Sequence, residues 1–367
     1  MIKHKTIIII LFCLAFIFLL LGFSLAYYNK TLFLPTDTSL VPEDHKADNF
    51  WPESTPTSTI DLEQALATSS PVELIFVGDI MLARHVDFLG KQAKNEEYPF
   101  LKIKDFLTSA DFTVGNLEGP IIKNYFTVPN NTVRFSFAPN KAEVLAKAGF
   151  DYLSQANNHT NDPYLGAETE TKEYLNKNNI LGFGQNKNSG QDKAVRISKD
   201  GQEINLFGLY DFGGDFDEAK ALDNISQQVE ENVLDIVFVH WGLEYNTKHA
   251  NSQEILAHKL IDSGVDLIIG HHPHVVQDIE QYKNKYIFYS LGNFIFDQYF
   301  SVNTQQGLAL KLILDDTENK IELYPVDIKL AQASLMLDVD KNKFLENLNK
   351  NSKLDFKLTE YLPLSFD

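Results

Sequence analysis

Six short stretches of this sequence release Asp, Asn, Glu or His immediately after an apolar run, and the densest is DLIIGHHPHVVQ, residues 266–277. There the run Asp266–Ile269 breaks at Gly270 and delivers His271, His272 and His274. Imidazoles crowded in this way suit a metal ion or a transferable proton. Pro273 fixes the backbone between His272 and His274, which lowers the entropy lost in holding two rings on one ligand. The other stretches carry Asp79 in VELIFVGDIML, Asn116 and Glu118 in GNLEGP, Asn158 and His159 in ANNHTND, His240 and Glu244 in HWGLEY, and Asn293 in LGNFIFD. Singly, each has an ordinary reading: a turn or N-cap for Asp79, an Asx-turn for Asn158, a hydrogen-bonded core histidine for His240, a solvated surface for Glu244. Independent turns need no such shared chemical bias, and hard oxygen donors mixed with imidazoles suit Zn, Mn or Fe.

These side chains can meet only if the runs before them are strands with their exits on one side. Val72 onward, Asp111 onward, Asp151 onward, 203–209, 234–239 and 285–290 read as strands, and the apolar run before Gly270 as another. Helical patterns over 140–148, 165–178 and 252–263 lie between them. Alternating strands and helices predict an α/β sheet, and in such sheets ligands bind outside the carboxyl ends of the strands. Residues 307–330 alternate as two further antiparallel strands would, and 331–367 reads as a polar C-terminal tail.

Residues 7–26 are an uncharged apolar run preceded by Lys3 and Lys5. A helix of about 20 such residues spans the ~30 Å hydrocarbon core, and lysines on the short leading side favour a cytoplasmic N-terminus. The expectation is a signal anchor: a single-pass cell-membrane protein whose C-terminal domain is extracytoplasmic. Residues 27–70, with Pro35, Pro42, Pro52 and Pro56 among Ser, Thr, Asp and Glu, read as a disordered linker, leaving 71–330 as the main domain. The formal charge of −18 argues against binding nucleic acid. The single cysteine, Cys13, lies in the apolar run, so a disulfide framework and a thiolate metal site are both excluded.

The motifs GDIMLAR, GNLEGP, ANNHTND, HWGLEY, GHHPHVVQ and YSLGNFIFD, in this order, resemble bacterial capsule-synthesis proteins of the CapA type, associated with poly-γ-glutamate production and related to calcineurin-like metallophosphoesterases. The resemblance implies a four-layer αββα sandwich of two mixed β-sheets. It implies a divalent metal ion, Mn, Zn or Fe, one or two in number, held by Asp79, Asn116, Asn158, His240, His272 and His274. Glu118 and Glu244 become the candidate general bases and His159 a donor to the leaving group or oxyanion, with His271 a neighbour rather than a ligand. The chain departs from the phosphoesterase pattern at Met81, where a histidine is expected, and at Asn116, where an aspartate is expected. Both changes remove donors or charge from one half of a two-metal site.

The implied function is synthesis, processing or export of a capsule polymer such as poly-γ-glutamate by a membrane-anchored protein. Its expected partners are an anionic extracellular polymer or its precursor and a membrane synthase complex. Two other readings share the residues: a metal-dependent phosphatase or phosphodiesterase, and a non-catalytic polymer-binding assembly component.

Overall fold

The computed structural model of the chain describes residues 70–129, 132–185, 193–212 and 216–364. The expected anchor, 7–26, and all but the last residue of the expected linker lie outside them. Among the described residues no helix is long and apolar enough to cross a membrane.

In chain order the strands are β1 (Val72–Ile80), β2 (Phe112–Leu117), β3 (Tyr152–Ser154), β4 (Leu181–Phe183), β5 (Val195–Lys199), β6 (Gln202–Tyr210), β7 (Leu234–His240), β8 (Leu267–His271), β9 (Ile279–Tyr282), β10 (Lys285–Phe288), β11 (Asn293–Ile295), β12 (Gln306–Leu314), β13 (Asn319–Lys329), β14 (Gln332–Leu335) and β15 (Tyr361–Leu364). The helices are α1 (Arg84–Ala93), α2 (Lys104–Leu107), α3 (Lys141–Ala148), α4 (Ala167–Lys177), α5 (Glu218–Ser226), α6 (Asn251–Asp262) and α7 (Asp338–Asn351). One sheet runs β14-β13-β12-β1-β2-β3-β4, with β11 beside β1 and β15 beside β13; the other runs β5-β6-β7-β8-β10-β9. Both are mixed. β1 to β4 are parallel to one another while β12 is antiparallel to β1. In the second sheet β6, β7, β8 and β10 are parallel, with β5 and β9 antiparallel at the edges.

The period-2 alternation of strand side chains explains the layering. In β1, Leu74 and Phe76 enter a core shared with Phe238, Leu267, Ile269 and Phe288 of the second sheet. Ile75 and Val77 point the other way, into a core capped by α1, α3 and α4 through Val86, Leu145 and Leu175. Val237, Val239 and Ile268 of the second sheet meet α5 and α6 through Ala221, Ile225, Leu256 and Leu260. The order is helices, sheet, sheet, helices, and β1 and β7, which carry the most chemistry at their ends, are buried on both faces. α3 stops at Gly149, φ 104°, a left-handed C-cap that glycine adopts without cost.

Residues 331–367, expected as a polar tail, are folded through Leu364. β14 and β15 extend the first sheet, and Leu345, Leu348, Leu358, Leu362 and Leu364 are buried in the core between the sheets. Their leucines are spaced among so many charged residues that the apolar face of α7 is faint in one dimension.

Candidate functional site

The strand register fixes the first contacts. Asp79 stands opposite Asn116 across β1 and β2 and opposite Asn293 across β1 and β11, while His240 stands opposite His271 across β7 and β8. The strand ends come this close because of glycine: a Cβ on Gly78 would lie 2.0 Å from the Gly292 carbonyl oxygen, and one on Gly270 would lie 2.0 Å from that of Tyr289. His272 and His274, on either side of Pro273, both take left-handed backbone, φ 96° and 56°. That conformation costs roughly 1–3 kcal/mol for a residue with a side chain, and such strain concentrates at functional sites.

Asp79, Asn116, Glu118, His240, His271, His272 and His274 are all buried. Asp79 is the hub. Its Oδ1 accepts from Asn116 Nδ2 at 2.8 Å, and its Oδ2 lies 3.2 Å from His274 Nδ1. His274 Nδ1 also reaches Asn293 Oδ1 at 3.0 Å, which fixes the ring, and its Nε2 is 3.5 Å from Glu118 Oε1. His240 Nε2 lies 2.8 Å from Asn158 Oδ1 and 3.1 Å from His272 Nδ1. Asn157 Nδ2 donates to Asn116 Oδ1 at 3.0 Å and to the Leu117 carbonyl at 2.9 Å. The amide nitrogen of Asn116, not its oxygen, therefore faces Asp79 and His240.

Electrostatics divides the two carboxylates. Burial pushes Asp79 up, but contact with His271 and His274 and their charge outweigh it and hold the group well below the usual carboxylate range. Glu118 goes well above that range, chiefly through burial; the His274 charge opposes this, while Asp79 and Glu244 reinforce it. The histidines divide too. Burial, aided by neighbouring imidazoles, lowers His240 well below its ordinary value and His272 to about 4. His274, despite burial, is raised to about 9 by Glu118 and Asp79.

Neither oxygen of Glu118 has a hydrogen-bond partner among the described residues. Buried carboxylates are ordinarily paired or bound to a cation, so an unpartnered one beside a cluster of imidazoles fits a metal ion. Donor atoms of Asp79, Glu118 and His240 all lie within 4.8 Å of one another. Here the donors are spent on one another instead, as the Asn158–His240–His272 contacts show. His271, expected as a bystander, also touches the hub: its Nδ1 is 3.2 Å from Asp79 Oδ1, and neither ring nitrogen has a hydrogen-bond partner among the described residues.

The remaining expected residues lie further out. His159 is at the edge of the cluster, its Nδ1 2.7 Å from Asp162 Oδ2 and its Nε2 3.7 Å from Glu118 Oε1. Glu244 is exposed on the loop after β7 and reaches the buried groups through its charge alone. Sequence reasoning assigns no role to Asn157, although it stands in the same motif as Asn158; its buried place under Asn116 follows only from the β3 register. Tyr245 carries no such signal either. Its backbone is left-handed, φ 67°, its N–H donates to the Pro273 carbonyl at 2.8 Å, and its ring lies 6.2 Å from His274.

Residues 73–298 match the model of the family described as bacterial capsule synthesis protein PGA_cap. The chain belongs to the PGA_cap family. All six motifs fall inside the PGA_cap match, whereas α7 and the last four strands, β12 to β15, fall outside it. Similar proteins include the PGA biosynthesis protein CapA of Bacillus subtilis, 30% identical over 80% of this chain and 81% of that protein. The capsule biosynthesis protein CapA of Bacillus anthracis is 28% identical over 76% of this chain and 73% of that protein. Among solved structures, a hypothetical protein from Thermus thermophilus covers 70% of this chain and 99% of its own, at 18% identity and TM-score 0.47, a likeness that carries no argument about function.

Proposed function

We propose that this PGA_cap protein processes a capsule polymer of the poly-γ-glutamate type in the cell envelope, by hydrolysis or transfer at a metal centre built on Asp79, His240, His272 and His274 with Glu118 beside it. The observation that carries the reading is Glu118: a fully buried carboxylate with two unpartnered oxygens, 3.5 Å from a histidine. Asp79, His240 and His272 would hold the cation, joined by His274 on loss of its proton, with the side-chain oxygens of Asn116 and Asn158 available to it if those amides turned. When bound, a divalent ion supplies Lewis acidity at a carbonyl or phosphoryl oxygen. Asp79, kept ionised, contributes the negative charge that selects a cation over a neutral ligand. His240 and His272, kept neutral by burial, present lone pairs rather than protons at neutral pH. Glu118 has the raised proton affinity of a general base and takes the proton of the attacking nucleophile. His159, with Nδ1 held by Asp162, turns Nε2 toward the same space and donates to the leaving group. Glu244, exposed, tunes the charge at the rim rather than accepting the proton.

The envelope location rests on the apolar run 7–26 acting as an anchor, with the folded domain outside. The reading is tested by incubating the metal-loaded protein with γ-linked polyglutamate and following chain length. Metal-dependent shortening or transfer that disappears in Glu118→Gln is expected. An unchanged polymer together with cleavage of a chromogenic phosphodiester would replace this reading with a phosphodiesterase. An unchanged polymer that binds would leave a polymer-holding component.

A further inference from the structure

Asn157 is buried just past the end of β3, and two backbone groups decide which way its amide faces. The Leu117 carbonyl, 2.9 Å from its Nδ2, can only accept, and the His159 N–H, 3.1 Å from its Oδ1, can only donate. The nitrogen therefore points to Leu117 and the oxygen to His159. Its second N–H goes to Asn116 Oδ1 at 3.0 Å, so the Asn116 nitrogen faces the other way, 2.8 Å from Asp79 Oδ1 and 3.4 Å from His240 Nδ1. Both amides are buried. Turning Asn116 to offer its oxygen to a cation would set its nitrogen against that of Asn157, donor against donor. Asn157 could turn in answer only by breaking with both backbone groups, and buried polar groups are rarely left in that state.

This lock bears on how many ions the centre holds. The Asn116 NH2 group fills, with its own hydrogens, the space between Asp79 Oδ1 and His240 Nδ1, where a carboxylate oxygen and an imidazole nitrogen would otherwise share a cation. His271 Nδ1 stands 3.2 Å from the same oxygen. The other oxygen of Asp79, Oδ2, faces the His272 N–H at 3.4 Å and His274 Nδ1 at 3.2 Å, on the side where His274 Nε2 looks toward Glu118. We infer that Asn157 is a positioning residue for the metal centre: it locks Asn116 as a donor to Asp79 Oδ1 and so limits the centre to one cation, met by Asp79 through Oδ2. This rests on the metal-centre reading above and adds to it the number of ions and the residue that sets it.

The test is ion stoichiometry: calorimetric titration of the metal-stripped full chain in detergent with Mn²⁺, checked by elemental analysis after gel filtration, with denaturant melts to show that each variant is folded. The parent should take one ion per chain. Asn157→Asp replaces the donating nitrogen by an oxygen of the same size, so Asn116 turns its nitrogen toward it and its oxygen toward Asp79 and His240; two ions per chain are expected. Asn116→Asp puts an oxygen in that space directly and should also take two. A residue that served packing alone would lower stability or affinity when changed but would not raise the count. A parent that takes two ions would overturn the inference, with or without folded variants. So would a folded Asn157→Asp that stays at one ion while Asn116→Asp takes two, which removes the lock, and so would both folded variants at one ion, which leaves the space unable to hold a cation. In all three cases the metal-centre reading stands. A folded parent that takes up no Mn²⁺ at millimolar concentration would overturn that reading and this inference with it.

Discussion

Glu118 is buried with no hydrogen bond to either oxygen among the described residues, which is a poor arrangement for a folded protein and a good one for a cation site. Removing its polar group should therefore separate stability from function. Glu118→Met is expected to raise the metal-free protein's unfolding free energy by roughly 1–3 kcal/mol, the penalty typical of an unsatisfied buried group, while weakening metal binding at least tenfold. Denaturant melts and metal titrations of the same preparation measure both. A second buried carboxylate, Asp235, offers a pH test away from the site. Burial pushes it up to about 6, Asn205 at 2.7 Å opposing and Asp266 reinforcing. Because the folded state holds this proton more tightly than the unfolded chain, stability falls as pH rises from about 4 through about 6. Asp235→Asn should gain about 1–3 kcal/mol at pH 7, and the gain should vanish below pH 4. At this scale the sequence was informative wherever motif and strand end coincided: Asp79, Glu118, His240, His272 and His274 do converge. What it could not show is which way an amide turns. Asn116 and Asn158 are expected as oxygen ligands, yet one presents its nitrogen and the other spends its oxygen on His240.

At the scale of elements, the site exists because strands approach one another at glycines, and this can be broken without touching a ligand. Gly270→Ala would put a methyl carbon 2.0 Å from the Tyr289 carbonyl oxygen, where neighbouring backbone has little room to yield. A loss of about 3 kcal/mol or more is expected in denaturant melts, at the upper end of what overpacking usually costs. The strands that bear motifs were legible because apolar runs ended in abrupt polar turns, as 234–240 before Trp241 shows. β4, at three residues, and β9, with Glu280 and Gln281 among its four, carry too little pattern to be seen. The left-handed backbone at His272, His274 and Tyr245 was equally hidden. It follows from the meeting of two loops, through the Tyr245 N–H on the Pro273 carbonyl, and not from local preference.

For the whole molecule, an α/β sheet was readable from the alternation of strands and helices and the two-sheet sandwich came from the family resemblance, but the closing pieces were in neither. α7, β15 and the segment between them cover the inter-sheet core with Leu345, Leu348, Leu358, Leu362 and Leu364. Truncation after Val339 should expose that core and, at about 2–5 kcal/mol for each buried leucine lost, exceed the stability of an ordinary domain. The expected outcome is insoluble or protease-sensitive protein; a disposable tail would leave solubility and melting unchanged. The most direct test of the central claim is metal content and affinity: elemental analysis of the purified chain, then titration of the stripped protein with Mn²⁺ and Zn²⁺ at pH 7.5. At least one ion per chain with micromolar or tighter affinity is predicted, with loss of at least a hundredfold in Asp79→Asn and in His272→Ala/His274→Ala. A folded parent that takes up neither ion at millimolar concentration would contradict it.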